Sequence, residues 1–170
     1  MNKSVFIFVI AVFFLFITNL TVADSPVPSV DIRNLDGQSV DLKDVVKNDK
    51  ITVISFWATW CSPCKRELEN IDALLPEWRE RYDVEFIAIS VDDSRTADNV
   101  EPYVKGRNWD FKVFTDENND TKRALNFGNV PYSIVINKEG NIVHNHAGYS
   151  EGDEFLLEDY IEELSAGIEE

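Results

Sequence analysis

Two periodicities alternate along the chain, and each apolar stretch implies an element. Val30 and Ile32, then Val40 and Leu42, alternate with polar residues on either side of Asp36-Gly37, the signature of a β-hairpin. Residues 51–57 (ITVISFW) form an apolar, β-branched run of the length of a buried strand, and 84–91 (VEFIAISV) form a second. Between them, residues 63–82 place Leu68, Ile71, Leu74, Leu75, Trp78 and Tyr82 on one face at helical spacing, with Pro76 expected to kink the helix. Residues 96–105 read as a helix interrupted by Pro102, 111–114 as a short strand, and 120–126 as a short helix ended by Gly128. Residues 132–137 and 141–146 are strands joined at 138–141 (KEGN). Leu156, Leu157, Tyr160, Ile161 and Leu164 mark a closing helix, and 25–28 (SPVP) reads as a linker. Strand–helix–strand alternation followed by a hairpin and a helix predicts an α/β domain over residues 24–170, a mixed central sheet with helices on both faces.

The first 23 residues are patterned differently. A short basic start, Met1-Asn2-Lys3, precedes thirteen consecutive apolar residues, Val5–Ile17, and then Thr21-Val22-Ala23 before Asp24. These are the three regions of a secretory signal peptide. The apolar run is shorter than the roughly 20 residues of a spanning helix, although an uncleaved anchor reaching through Leu20 and Val22 is the alternative. No cysteine adjoins the cleavage position, so lipid attachment there is excluded.

Charge narrows the partners. Sixteen basic against 31 acidic residues give −15, and removal of Met1–Ala23 takes away one lysine and no acid, leaving −16. Such a balance argues against nucleic acid and against an anionic membrane surface as partners. It suits a dispersed, monomeric exported protein.

The chemistry concentrates where the first buried strand ends. Cys61 and Cys64, the only cysteines, stand at C-x-x-C spacing as strand gives way to helix. The unpaired N–H groups and dipole of a helix N-terminus lower a thiol pKa. Pro63 falls in the first turn, where its missing N–H costs nothing. In an oxidising compartment a lone cysteine pair is commonly structural. A bridge across two residues, however, constrains little of the unfolded chain, which favours a reactive pair. A Cys2His2 zinc site completed by His144 and His146 is disfavoured, because H-x-H on a strand is not the usual ligand spacing.

Residues 56–65 (FWATWCSPCK) strongly resemble the active-site segment of thioredoxin-like proteins. The TlpA/ResA-like branch of exported thiol–disulfide oxidoreductases matches best. An N-terminal hairpin precedes the first core strand, a strand and helix at about 84–105 are inserted, and Glu67 follows Cys64 by three residues. The resemblance implies a thioredoxin-like fold in which Cys61 is the nucleophile and Cys64 resolves the mixed disulfide. It implies a cis bond at Val130-Pro131, with the Val130 backbone, Trp60 and Pro63 framing the partner segment. Glu67 either moves a proton for the thiol pair or is a solvated first-turn carboxylate. The implied partners are a cysteine-containing protein, with apocytochrome c a typical substrate in this family, and a membrane electron donor. No organic cofactor and no metal is expected beyond the Cys61–Cys64 disulfide.

Two positions depart from the pattern. Thioredoxin has a buried aspartate where this chain has Ser55, and the family usually has threonine where this chain has Tyr132. Two rival readings are a thiol peroxidase and a non-catalytic binding module on the same fold. Peroxidases of that kind place a threonine three residues before the reactive cysteine; here Ala58 stands there.

Overall fold

A computed structural model describes residues 25–47 and 49–167. The expected signal peptide and its cleavage position therefore lie outside the described residues. The strands are β1 (Ser25–Pro26), β2 (Asp31–Asn34), β3 (Ser39–Asp41), β4 (Ile51–Trp57), β5 (Val84–Ser90), β6 (Lys112–Thr115), β7 (Tyr132–Ile136) and β8 (Asn141–Ala147). They form one sheet in the order β1-β8-β7-β4-β5-β6-β2-β3. β4 lies at its centre, parallel to β5 and antiparallel to β7, so every residue of β4 is buried. Burial on both faces is why this strand reads as an unbroken apolar run rather than an alternation.

The helices are α1 (Leu42–Val45), α2 (Ser62–Tyr82), α3 (Val100–Lys105), α4 (Asp120–Ala124) and α5 (Asp153–Ser165). α2 and α5 pack against each other and against β4, with Leu68, Ile71, Leu75, Trp78, Leu157 and Ile161 buried beneath them. Phe56 points to the opposite face from its neighbours Ser55 and Trp57. There it meets Phe127, just beyond α4, with ring centroids 4.7 Å apart. Helices thus cover both faces, as the strand–helix alternation predicts.

Several boundaries differ from the sequence reading, each for a local reason. Ser25–Pro26 is an edge strand on β8 rather than a linker, and Val27 is buried behind it, its N–H bonded to the Gly140 carbonyl. α2 begins at Ser62, one residue before the expected start, and carries Pro76 within it on its exposed side. The helix expected over 96–105 begins as a 3-10 turn at Ala97–Asn99 and becomes α3 only at Val100. Pro102 then falls in its first turn, where no intrahelical N–H bond is lost. α4 stops at Ala124, and Asn126 takes a left-handed φ of 53°. On α5, Leu156 and Tyr160 are more exposed than helical spacing suggests, because they border a cleft rather than the core.

Candidate active site

The site is built where β4 hands over to α2. Cys61 is the N-cap of α2, in extended conformation, and its Sγ accepts a hydrogen bond from the Cys64 N–H at 3.3 Å. Its sulfur therefore occupies the place where a helix presents unpaired donors and the positive end of its dipole. Cys61 and Cys64 are joined as a disulfide. Cys64, one turn in, is wholly buried, while Cys61 retains 5% of its surface. Ser62 and Pro63 open the helix. Trp60 stands 61% exposed beside the pair, whereas Trp57 is core, edge-on to Trp109.

The turn before Cys61 is anchored by a residue that sequence reasoning passed over. Asp92, buried just past β5, accepts hydrogen bonds from the Thr59 N–H (2.8 Å), the Thr59 hydroxyl (2.6 Å) and the Ser90 hydroxyl (2.7 Å). One carboxylate thereby ties the loop carrying Trp60 to the neighbouring strand. The Val130–Pro131 bond is cis. Val130 and Trp60 line one open groove of about 420 Å3, together with Val91, Arg95, Lys122 and Asn129.

Glu67 is not a solvated first-turn carboxylate. It is 4% exposed and projects from α2 on the face that carries Cys64 three residues earlier. Its two oxygens accept hydrogen bonds from Ser55 Oγ and Ser133 Oγ, each at 2.9 Å. Those serines are directly paired across β4 and β7, so they form a double donor beneath one carboxyl group. Burial pushes the Glu67 pKa up to about 7. The hydrogen bonds from Ser133 and Ser55 and the charge of His146 pull it down, and Asp153 adds to the rise. Ser55 therefore does not leave its end of the strand without an acid: the carboxyl group comes from the helix, and the strand supplies the donor. The signal for this was present as two serines inside otherwise apolar strands.

Both histidines lie on β8 and border the cleft that Glu67 lines. His144 stacks on Tyr160, with ring centroids 3.5 Å apart, and His146 Nε2 lies 3.2 Å from Asp153 Oδ2.

Comparison with known proteins agrees with this geometry. A profile of the AhpC/TSA family matches residues 23–145. A thiol-disulfide oxidoreductase ResA of Bacillus cereus is 30% identical over 138 residues, which cover 81% of this chain and 76% of that protein. The solution structure of an uncharacterized thioredoxin-like protein from Porphyromonas gingivalis superposes with a TM-score of 0.75 at 34% identity, covering 86% of this chain and 97% of the other. A crystal structure described as a putative thiol:disulfide interchange protein DsbE from Chlorobium tepidum gives a TM-score of 0.73 at 21% identity, over 84% of this chain and 96% of that one. That last likeness speaks for the fold alone. With the Cys61–Cys64 disulfide at the head of the helix that follows the central strand, the chain belongs to the AhpC/TSA family as a thioredoxin-fold thiol–disulfide oxidoreductase of the ResA-like branch.

Proposed function

We propose that the protein is an exported reductant of protein disulfides. The observation that carries this reading is a buried carboxyl group, poised near neutrality, one turn along the helix from the resolving cysteine. In the reduced protein the helix N-terminus favours the Cys61 thiolate. Its Sγ attacks one sulfur of a partner disulfide; a Cys61–partner bond forms, and the other partner sulfur leaves and takes a proton from solvent. The Cys64 thiol then gives its proton to the Glu67 carboxylate, directly or through water, and attacks Cys61 Sγ. The Cys61–partner bond breaks, the second partner sulfur departs reduced, and the Cys61–Cys64 disulfide forms. Two electrons pass to the partner.

A general base works best when its pKa lies near the working pH, and a carboxyl at about 7 meets that condition where an ordinary one at 4.5 does not. Trp60, Pro63, Val130 and Pro131 frame the partner, an extended cysteine-bearing segment pairing with the Val130 backbone as an added strand does. Protein reduction in an oxidising compartment, the periplasm or the outer face of the cytoplasmic membrane, requires a dithiol donor at the membrane. By the family resemblance, apocytochrome c awaiting haem is the substrate of choice. The peroxidase reading lacks its threonine, since Ala58 holds that position.

Equilibration of the Cys61–Cys64 couple with dithiothreitol or glutathione tests the direction of transfer. The expected potential is thioredoxin-like, near roughly −270 mV; a value near roughly −120 mV would mark an oxidant and sink the proposal.

A further inference from the structure

Glu67 is buried, yet a base that accepts a proton in each cycle must exchange with water. A polar file runs from it to the surface. Ser55, Ser133 and His146 are direct cross-strand partners on β4, β7 and β8, so they stand in one row across the sheet. Directly paired residues point to the same face, and Ser55 and Ser133 both reach toward α2 to hold Glu67. His146 is the third member of that row. Beyond it lies Asp153 in the first turn of α5, bonded to His146 Nε2 and accepting the Ser150 N–H at 2.7 Å. Glu67, Ser133, His146 and Asp153 all line one narrow cleft of about 10 Å3 between β8, α2 and α5. That is room for about one water molecule among several polar partners.

We propose that His146, oriented by Asp153, is a proton relay between Glu67 and solvent. The relay rests on the reading of Glu67 as proton acceptor and extends it. Its half-exposed imidazole stands where the buried row meets the surface. A proton accepted by Glu67 from the Cys64 thiol passes across the cleft to the imidazole and from there to bulk water; the reverse transfer reloads Cys64 when the disulfide is reduced. His146 touches no reacting sulfur, so it is a positioning residue that acts through Glu67. The other titratable groups facing the cleft are His144 on β8 and Glu154 and Tyr160 on α5. Burial and the neighbouring His146 charge hold His144 below its usual pKa, and its ring is stacked on Tyr160. Glu154 accepts hydrogen bonds from the Tyr149 hydroxyl and Asn70. His146 therefore combines contact with the row, an acid partner and access to water.

The test is steady-state reduction of a peptide disulfide by the full chain with dithiothreitol as donor, from pH 5.5 to 9, with and without added imidazole. Wild type, His146→Gln, Glu67→Gln and the double variant are compared, each with a urea midpoint as a folding control. Asp153→Asn serves as a second probe that keeps the shape of the pair. His146→Gln should lower turnover roughly tenfold, the equivalent of about 1.4 kcal/mol in the barrier. Imidazole should restore it, Asp153→Asn should fall between, and the double variant should match Glu67→Gln and ignore imidazole. Wild-type turnover in both His146→Gln and Asp153→Asn, or losses that imidazole leaves in place and that add to that of Glu67→Gln, would overturn the relay while leaving Glu67 its role. Wild-type turnover in Glu67→Gln would overturn both.

Discussion

At the scale of the residue, the proposed chemistry depends on Glu67 being buried with no ion-pair partner among the described residues. Two serine hydroxyls satisfy its oxygens, and neutral donors offset desolvation only in part, so its pKa remains near 7. This has a cost in stability that depends on pH. The folded-state value lies above the ordinary 4.5, so the contribution of this group is fully present below about pH 4.5 and is lost as pH rises through about 7. At about 1.4 kcal/mol per pKa unit, the loss amounts to about 3 kcal/mol. Urea unfolding of the oxidised protein at pH 4.5 and pH 8 should therefore show Glu67→Gln gaining about that much on wild type at the higher pH. The two proteins running parallel across that range would mean that Glu67 does not titrate as its burial requires.

At the scale of the element, the helix N-terminus at Cys61 and the strand feeding it were legible in the sequence. A seven-residue run rich in apolar and β-branched residues has the length and composition of a buried strand, and C-x-x-C with Pro63 can open a helix without loss of bonding. The hairpin, β5 and α2 followed equally from periodicity. What periodicity could not give was cross-strand register. Ser55, Ser133 and His146 are far apart in the chain, and only pairing across β4, β7 and β8 puts them in one row. Asp92 was hidden for a similar reason: it reads as a polar strand end, but its partners Thr59 and Ser90 meet only in the folded sheet. β1 was missed because Pro residues signal a linker, while at a sheet edge they cost no ladder bond.

At the scale of the whole molecule, the resemblance extends over nearly all of the chain after residue 23, and the matched family profile covers 23–145. The sheet edge and the N-terminal strand lie away from the central cysteine pair, which leaves Trp60 and the groove beside Val130 open to a protein partner. Among the described residues no helix is long and apolar enough to cross a membrane, so the alternative of an anchor concerns the first 23 residues. Expression in an exporting bacterium, followed by fractionation and N-terminal sequencing, should yield a protein beginning at Asp24. Recovery only in membranes with Met1–Ala23 attached would instead establish an anchor.

The division of labour between the two cysteines underlies every step of the mechanism. Cys61 has the helix N-terminus and the remaining exposure; Cys64 is wholly buried, one turn before the buried carboxyl group of Glu67 that we propose as its base. Mass spectrometry of single-cysteine variants incubated with a peptide disulfide tests this most directly. Cys64→Ala should accumulate a stable mixed disulfide through Cys61, with a rate that stays high below the ordinary thiol pKa of about 8.5. Cys61→Ala should remain largely unmodified. A mixed disulfide that forms faster through Cys64 than through Cys61 would contradict the account.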